Sequence, residues 1–126
     1  MKHENPYAAL EKLFHEPARL AIVSALCQGQ DGKAFADLKQ LCNLTDGNLN
    51  RHLKVLDEAG VVHIVKKSEK GSRPQTTVHL SEKGRAGFHA YLQVLEEVLV
   101  KAAEALDVPA THLGYGLSGL KNAPLT

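Results

Sequence analysis

Residues 45–80, TDGNLNRHLKVLDEAGVVHIVKKSEKGSRPQTTVHL, constrain the fold of this chain more than any other stretch. The segment opens on Thr45, whose hydroxyl can accept from the free N–H groups of a first helical turn. Asp46 beside it suits the positive end of a helix dipole. Leu49, Leu53, Leu56 and Ala59 then recur at helical spacing and define one apolar face. Gly60 tolerates the left-handed conformation that ends helices. Val61 to Lys67 and Pro74 to Leu80 are rich in β-branched residues and flank Ser68 to Arg73, which predicts a hairpin. Between Ile64 and His79, Lys66, Lys67, Lys70 and Arg73 face a single acid, Glu69. A capped amphipathic helix is thus followed at once by a positively charged hairpin.

Upstream, Asn5 and Pro6 suit a helix start, and Tyr7, Leu10, Leu13 and Phe14 share one face of a short helix. Pro17 ends that helix and begins a second, mostly buried one carrying Leu20, Ile22, Val23 and Leu26. Gln28 to Gly32 is a turn with two glycines. Phe35, Leu38 and Leu41 predict a third helix, although Ala36 is a poor cap. Cys42, Asn43 and Leu44 form the turn into the helix capped by Thr45. Ser81 caps a last helix reaching about Asp107, whose first turns Gly84 and Gly87 weaken. The organisation expected is one domain over 1–107, with long terminal helices at 6–14 and 82–107, and a tail or arm over 108–126.

With 126 residues the chain fits a single domain with a real core. A net charge of only +1 excludes a whole-molecule polycation, so any nucleic-acid footprint must be local, as the basic hairpin is. The compensating acids Glu96, Glu97 and Glu104 lie late in the last helix. No apolar run approaches the length of about 18 residues that a membrane span needs. The start, MKHENPYAAL, lacks the apolar segment of a secretory signal. Two cysteines make no disulfide framework. A cytoplasmic location is expected.

The span 36–59 reads as helix, short turn, helix, an arrangement that places its second helix in the DNA major groove. Opposite the apolar face, helix 45–59 presents Gly47, Asn48, Asn50, Arg51 and Lys54. Asparagine can pair bidentately with adenine and arginine with guanine, and glycine permits close backbone approach. Lys54 is better placed for phosphate. A merely solvated helix face is the alternative, and the adjoining basic hairpin weighs against it.

The run LTDGNLNRHLKVLDEAGVV, followed by the basic hairpin and SRPQTTVHLSEKGRAGF, resembles the winged helix-turn-helix DNA-binding family related to the MarR and ArsR regulators. The match extends upstream to EPARLAIVSAL and FADLKQ and covers about residues 15–107. The order of the motifs is specific, although none alone would be. The resemblance implies a mainly α fold with a small β-hairpin and a dimeric transcriptional regulator, usually a repressor. Helix 45–59 would be the recognition helix, with Gly47, Asn48, Asn50, Arg51 and Lys54 facing the groove. The wing would span 66–75, with Lys66, Lys67, Lys70, Ser72 and above all Arg73 on phosphates or the minor groove. Ala36 departs from relatives, which often have a polar cap there.

On the last helix Phe88, Leu92, Leu95, Leu99, Ala102 and Leu106 alternate at spacings of four and three, a heptad seam. Tyr91, Val94 and Val98 widen it beyond what a small domain readily covers. A homodimer is expected in which this helix pairs with its mate and with the first helix, through Tyr7, Leu10 and Phe14. Two-fold symmetry then implies a pseudo-palindromic site with half-sites about one helical turn apart. Packing of the helix on its own domain is the alternative.

Other chemistry finds little support. No two of the seven histidines and two cysteines show tight ligand spacing, so neither a metal nor any other cofactor is expected. His52, between Leu49 and Leu53, reads as a structural imidazole at the core edge, and His63 and His79 as facing each other across the hairpin. Cys27 and Cys42 read as small buried fillers, with a thiol switch at Cys42 the alternative because it abuts the recognition helix. No nucleophile elbow, phosphate-cradling loop or catalytic His/carboxylate pair is present, so no enzyme is expected. GYGLSG at 114–119 matches a dinucleotide fingerprint by letters but follows no strand and opens no helix. An effector pocket would fall between the wing domain and the dimer helices, where no polar cluster marks one. The rival from another class is a winged helix that docks a protein and never touches DNA; it should carry apolar residues where helix 45–59 carries Asn, Asn, Arg and Lys.

Overall fold

The computed structural model describes residues 6–29, 31–68, 71 and 73–108. Asn5, Glu69, Lys70, Ser72 and the stretch 109–126, with its GYGLSG, lie outside the described residues. Among the described residues eight elements follow in chain order: α1 (Ala8–His15), α2 (Pro17–Leu26), β1 (Lys33–Ala34), α3 (Phe35–Cys42), α4 (Asp46–Glu58), β2 (Val62–Lys67), β3 (Gln75–Leu80) and α5 (Glu82–Ala105). These helices and the small sheet make the fold mainly α, with the hairpin where the sequence places it. The chain divides into two compact units, Met1–Phe88 and His89–Thr126.

In the first unit each helix begins and ends for a local reason. Tyr7 occupies the cap position of α1, which starts at Ala8 without a side-chain cap. Pro17 fills the first position of α2, and the Glu16 carboxylate accepts from the Ala18 N–H. α3 starts at Phe35 with Ala34 as its cap residue, so Ala36 lies inside the helix and its poor capping is immaterial. α3 ends on Asn43 at φ 54°, with Leu44 N–H donating to Lys39 O at 3.0 Å. Asparagine is one of the few side chains at ease there. α4 closes in the same way: Gly60 sits at φ +77°, and Val61 N–H donates to Leu56 O at 2.9 Å.

The sheet is antiparallel with order β1-β3-β2. β2 and β3 form the expected hairpin, Val62 opposite Leu80 and His63 opposite His79. β1, unforeseen from the sequence, adds Lys33 opposite Val78 and Ala34 opposite Thr77. Alternation puts Val62, Ile64 and Lys66 on one face with Val78, and His63, Val65 and Lys67 on the other. The core gathers Phe14, Ile22, Leu38, Leu49, Leu56, Val61, Val62 and Val78, all fully buried.

Ser81 joins α4, the hairpin and α5. Its hydroxyl accepts from Gly84 N–H at 2.8 Å, capping α5, and reaches the carbonyls of Gly60 at 2.6 Å and Val61 at 2.9 Å. The glycine at 84 is spatial in purpose: a Cβ there would stand 2.3 Å from Val61 O. Likewise a Cβ on Gly87 would meet Leu10 Cδ1 at 2.6 Å. The helix formed despite both glycines because tight packing compensates their weak propensity.

In the second unit α5 continues to Ala105. Tyr91 and Ala103 are buried, Leu92, Leu95 and Leu99 half-buried, and Ala102 and Leu106 exposed. Val94, Val98 and Leu106 leave apolar side chains in solvent, Val98 at 56% and Leu106 at 74% exposure.

Candidate nucleic-acid interface

Helix α3, the turn Asn43 to Thr45 and helix α4 form the helix-turn-helix. Thr45 Oγ1 accepts from Asn48 N–H at 3.1 Å, so the cap read from the sequence is made. Lys39 Nζ on α3 stands 2.8 Å from Asp46 Oδ1 at the start of α4. Both ends of that pair are exposed, so solvent screening leaves it a minor contribution to stability.

Leu49, His52, Leu53 and Leu56 bury one side of α4. Gly47, Asn48, Asn50, Arg51 and Lys54 are all exposed. A Cβ added at Gly47 would meet nothing within 4 Å, so the backbone there is open to close approach by a partner. Arg51 Nη2 donates to Asn48 Oδ1 at 3.3 Å, which orders the two side chains as a pair.

On the hairpin, Lys66, Lys67 and Arg73 are exposed. Lys70 and Ser72 lie outside the described residues. Lys66 and Lys67 emerge on opposite faces, and only Lys66 turns toward α4. There a cleft of about 390 Å³ is lined from α4 by Asn50, Lys54 and Asp57 and from the hairpin by Ile64, Lys66 and Thr76. The cleft brings together Asn50, Lys54 and Lys66, three residues singled out from the sequence. Asp57 and Thr76 were not among them. Asp57 follows Asn50 and Lys54 at the spacings four and three of one helical stripe, a signal that its negative charge obscured.

His52 is 6% exposed and packs between charges. Its Nδ1 is 3.3 Å from Arg19 Nη1 and its Nε2 is 3.4 Å from Glu16 Oε2. Burial pushes its pKa below the ordinary 6.5; Glu16 opposes the shift, and Arg19 and Arg51 add to it. Cys27 and Cys42 are half-buried, not enclosed as expected. Burial raises both thiols above the usual 9.0, partly offset at Cys27 by Arg85, which disfavours the reactive thiolate. Among the described residues no group of three or more His, Cys, Asp or Glu is placed to hold a metal ion. None of the described helices is long and apolar enough to cross a membrane.

The expected dimer residues are placed differently from one another. Leu10, Phe14 and Phe88 are buried, Tyr7 is half-buried, and the α5 residues beyond Phe88 grade from half-buried to exposed.

A winged helix DNA-binding domain model matches residues 18–99. An uncharacterized protein of Methanocaldococcus jannaschii is 42% identical over 81 residues, covering 64% of this chain and 86% of that protein. A transcriptional regulator homologue from Pyrococcus horikoshii OT3 superposes with a TM-score of 0.66 at 28% identity, covering 77% of this chain and 90% of that one. A transcriptional regulator described as of the MarR family, from Enterococcus faecalis V583, superposes with a TM-score of 0.65 at 17% identity, covering 86% of this chain and 98% of that one. At that identity the likeness is one of fold.

Proposed function

The chain belongs to the winged helix DNA-binding domain family, and from that premise we propose that it is a homodimeric, sequence-specific transcriptional regulator acting as a repressor. The observation that carries the reading is the exposed stripe Gly47, Asn48, Asn50, Arg51 and Lys54 on a capped helix beside an exposed Lys66. Helix α4 enters the major groove, Asn48, Asn50 and Arg51 read base edges, and Lys54 meets phosphate. The wing, with Lys66, Lys67, Lys70, Ser72 and Arg73, lies along flanking phosphates or the minor groove. The Asn48–Arg51 hydrogen bond supports direct readout, because it limits the side-chain freedom that docking on a base must remove.

The dimer forms along α5. Exposed Val94, Val98 and Leu106, with half-buried Leu92, Leu95 and Leu99 and with Ala102, make an apolar stripe that a second copy would cover. Leu10, Phe14 and Phe88 are already buried within one chain. Sedimentation of the protein at micromolar concentration should give twice the chain mass, reduced to one in Val98→Lys.

Fluorescence anisotropy with the DNA upstream of the protein's own gene, against a scrambled duplex and at two salt concentrations, tests the function. Tight, salt-sensitive binding that prefers the upstream fragment is expected. Equal and weak binding to both duplexes would point to a distant operator or to a winged helix that docks protein.

A further inference from the structure

His52 is the one residue on the buried side of α4 that is not apolar. Its two neighbours determine what each ring nitrogen does. A guanidinium only donates and a carboxylate only accepts. Nδ1, 3.3 Å from Arg19 Nη1, is therefore the acceptor, and Nε2, 3.4 Å from Glu16 Oε2, carries the hydrogen. The ring is neutral in this arrangement. Both partners are anchored in turn. The other carboxylate oxygen of Glu16 caps α2 through Ala18 N–H, and Arg19 Nε donates to Leu13 O of α1 at 2.8 Å. The imidazole thus ties α4 to the corner at which α1 passes into α2.

We propose that His52 is a positioning residue for DNA binding: its neutral form holds α4 at the angle that presents Asn48 and Arg51, and a proton on Nδ1 breaks the hold. That proton turns the acceptor facing Arg19 into a second donor and sets a cation against a cation. The charged groups around the ring are Glu16 at the cap of α2, Arg19 within α2 and Arg51 next to His52 on α4, two cations against one carboxylate. Acidification therefore reduces sequence-specific binding. Generic electrostatics runs the other way, because added positive charge on the protein tightens binding to any duplex. The inference rests on α4 being the recognition helix.

The test compares the full-length parent, His52→Gln and His52→Ala by anisotropy on the upstream and scrambled duplexes between about pH 7.5 and about pH 5.5, the range in which imidazoles titrate. Glutamine can accept from Arg19 and donate to Glu16 without taking up a proton. The parent's preference for the upstream duplex should fall severalfold toward the lower pH, because the proton binds better to the form that has lost the hold. His52→Gln should match the parent at the upper pH and keep its preference at the lower, while His52→Ala should be weak throughout. Parallel profiles for the parent and His52→Gln, with binding intact, overturn the role of His52 alone. No binding by the parent to either duplex at any pH overturns the recognition-helix reading with it. If His52→Gln does not fold, nitrogen-15 imidazole spectra of the parent decide. A neutral ring protonated on Nε2 that titrates in step with the loss of preference is expected, and a ring protonated on Nδ1 at neutral pH overturns the proposal.

Discussion

The ring of Phe14 meets the ring of Phe88 edge-on, with centroids 5.2 Å apart and planes at 74°. Phe14 is completely buried and Phe88 is 5% exposed within a single chain. This pair therefore fastens the first turns of α5 to α1 as core packing, and its loss is felt before any partner arrives. Phe88→Ala should cost about 3–5 kcal/mol, the usual range for removing a buried phenylalanine. Urea unfolding checks this, and the loss should persist at protein concentrations low enough to dissociate a dimer.

Arg51→Ala and Lys67→Ala should separate base reading from charge. The first should weaken binding to the preferred sequence by about 1–3 kcal/mol and relax discrimination. The second should weaken binding to all duplexes alike and flatten the salt slope by about 1. Anisotropy titrations across salt concentrations distinguish the two outcomes.

Gly47 and Gly84 both lie near the start of a helix but should answer oppositely to alanine. At Gly84 the new Cβ would collide with the Val61 carbonyl, so Gly84→Ala should destabilise by about 1–3 kcal/mol. At Gly47 the space is open, so Gly47→Ala should stabilise the free protein by up to about 1 kcal/mol. It should also weaken DNA binding if the backbone there approaches the groove. Thermal unfolding and anisotropy of the two variants test the contrast.

The depressed pKa of His52 sets a direction for stability against pH. The unfolded chain takes up a proton near pH 6.5, whereas the folded chain resists it until a lower pH, chiefly because the ring is buried. The unfolded state thus binds more protons within that window, and stability rises with pH there. Its contribution is complete above 6.5, falls as pH drops toward the folded value, and levels off below it. Urea midpoints measured between those limits should decline in the parent and decline less in His52→Gln.

The parts of this fold that were legible in the sequence depend on chemistry between near neighbours. Thr45 caps its own first turn, Gly60 takes the one backbone conformation that ends α4 there, and alternating β-branched residues make a hairpin whose two strands are close along the chain. The exposed stripe of α4 follows from the same periodicity that buries Leu49, Leu53 and Leu56. What tertiary structure decided depends on residues far apart in sequence. Lys33 and Ala34 carry no strand pattern and become β1 only because Val78 and Thr77 offer an edge to pair with. The heptad spacing of Phe88 says that it is buried, while its distance to Phe14 decides that one chain suffices to bury it. His52 stands out in the sequence only as a polar interruption of an apolar face. Its partners, Glu16 and Arg19, are brought to it by packing of α2 on α4, since a side chain's neighbours across a core are determined by how helices pack and not by its own position along one of them.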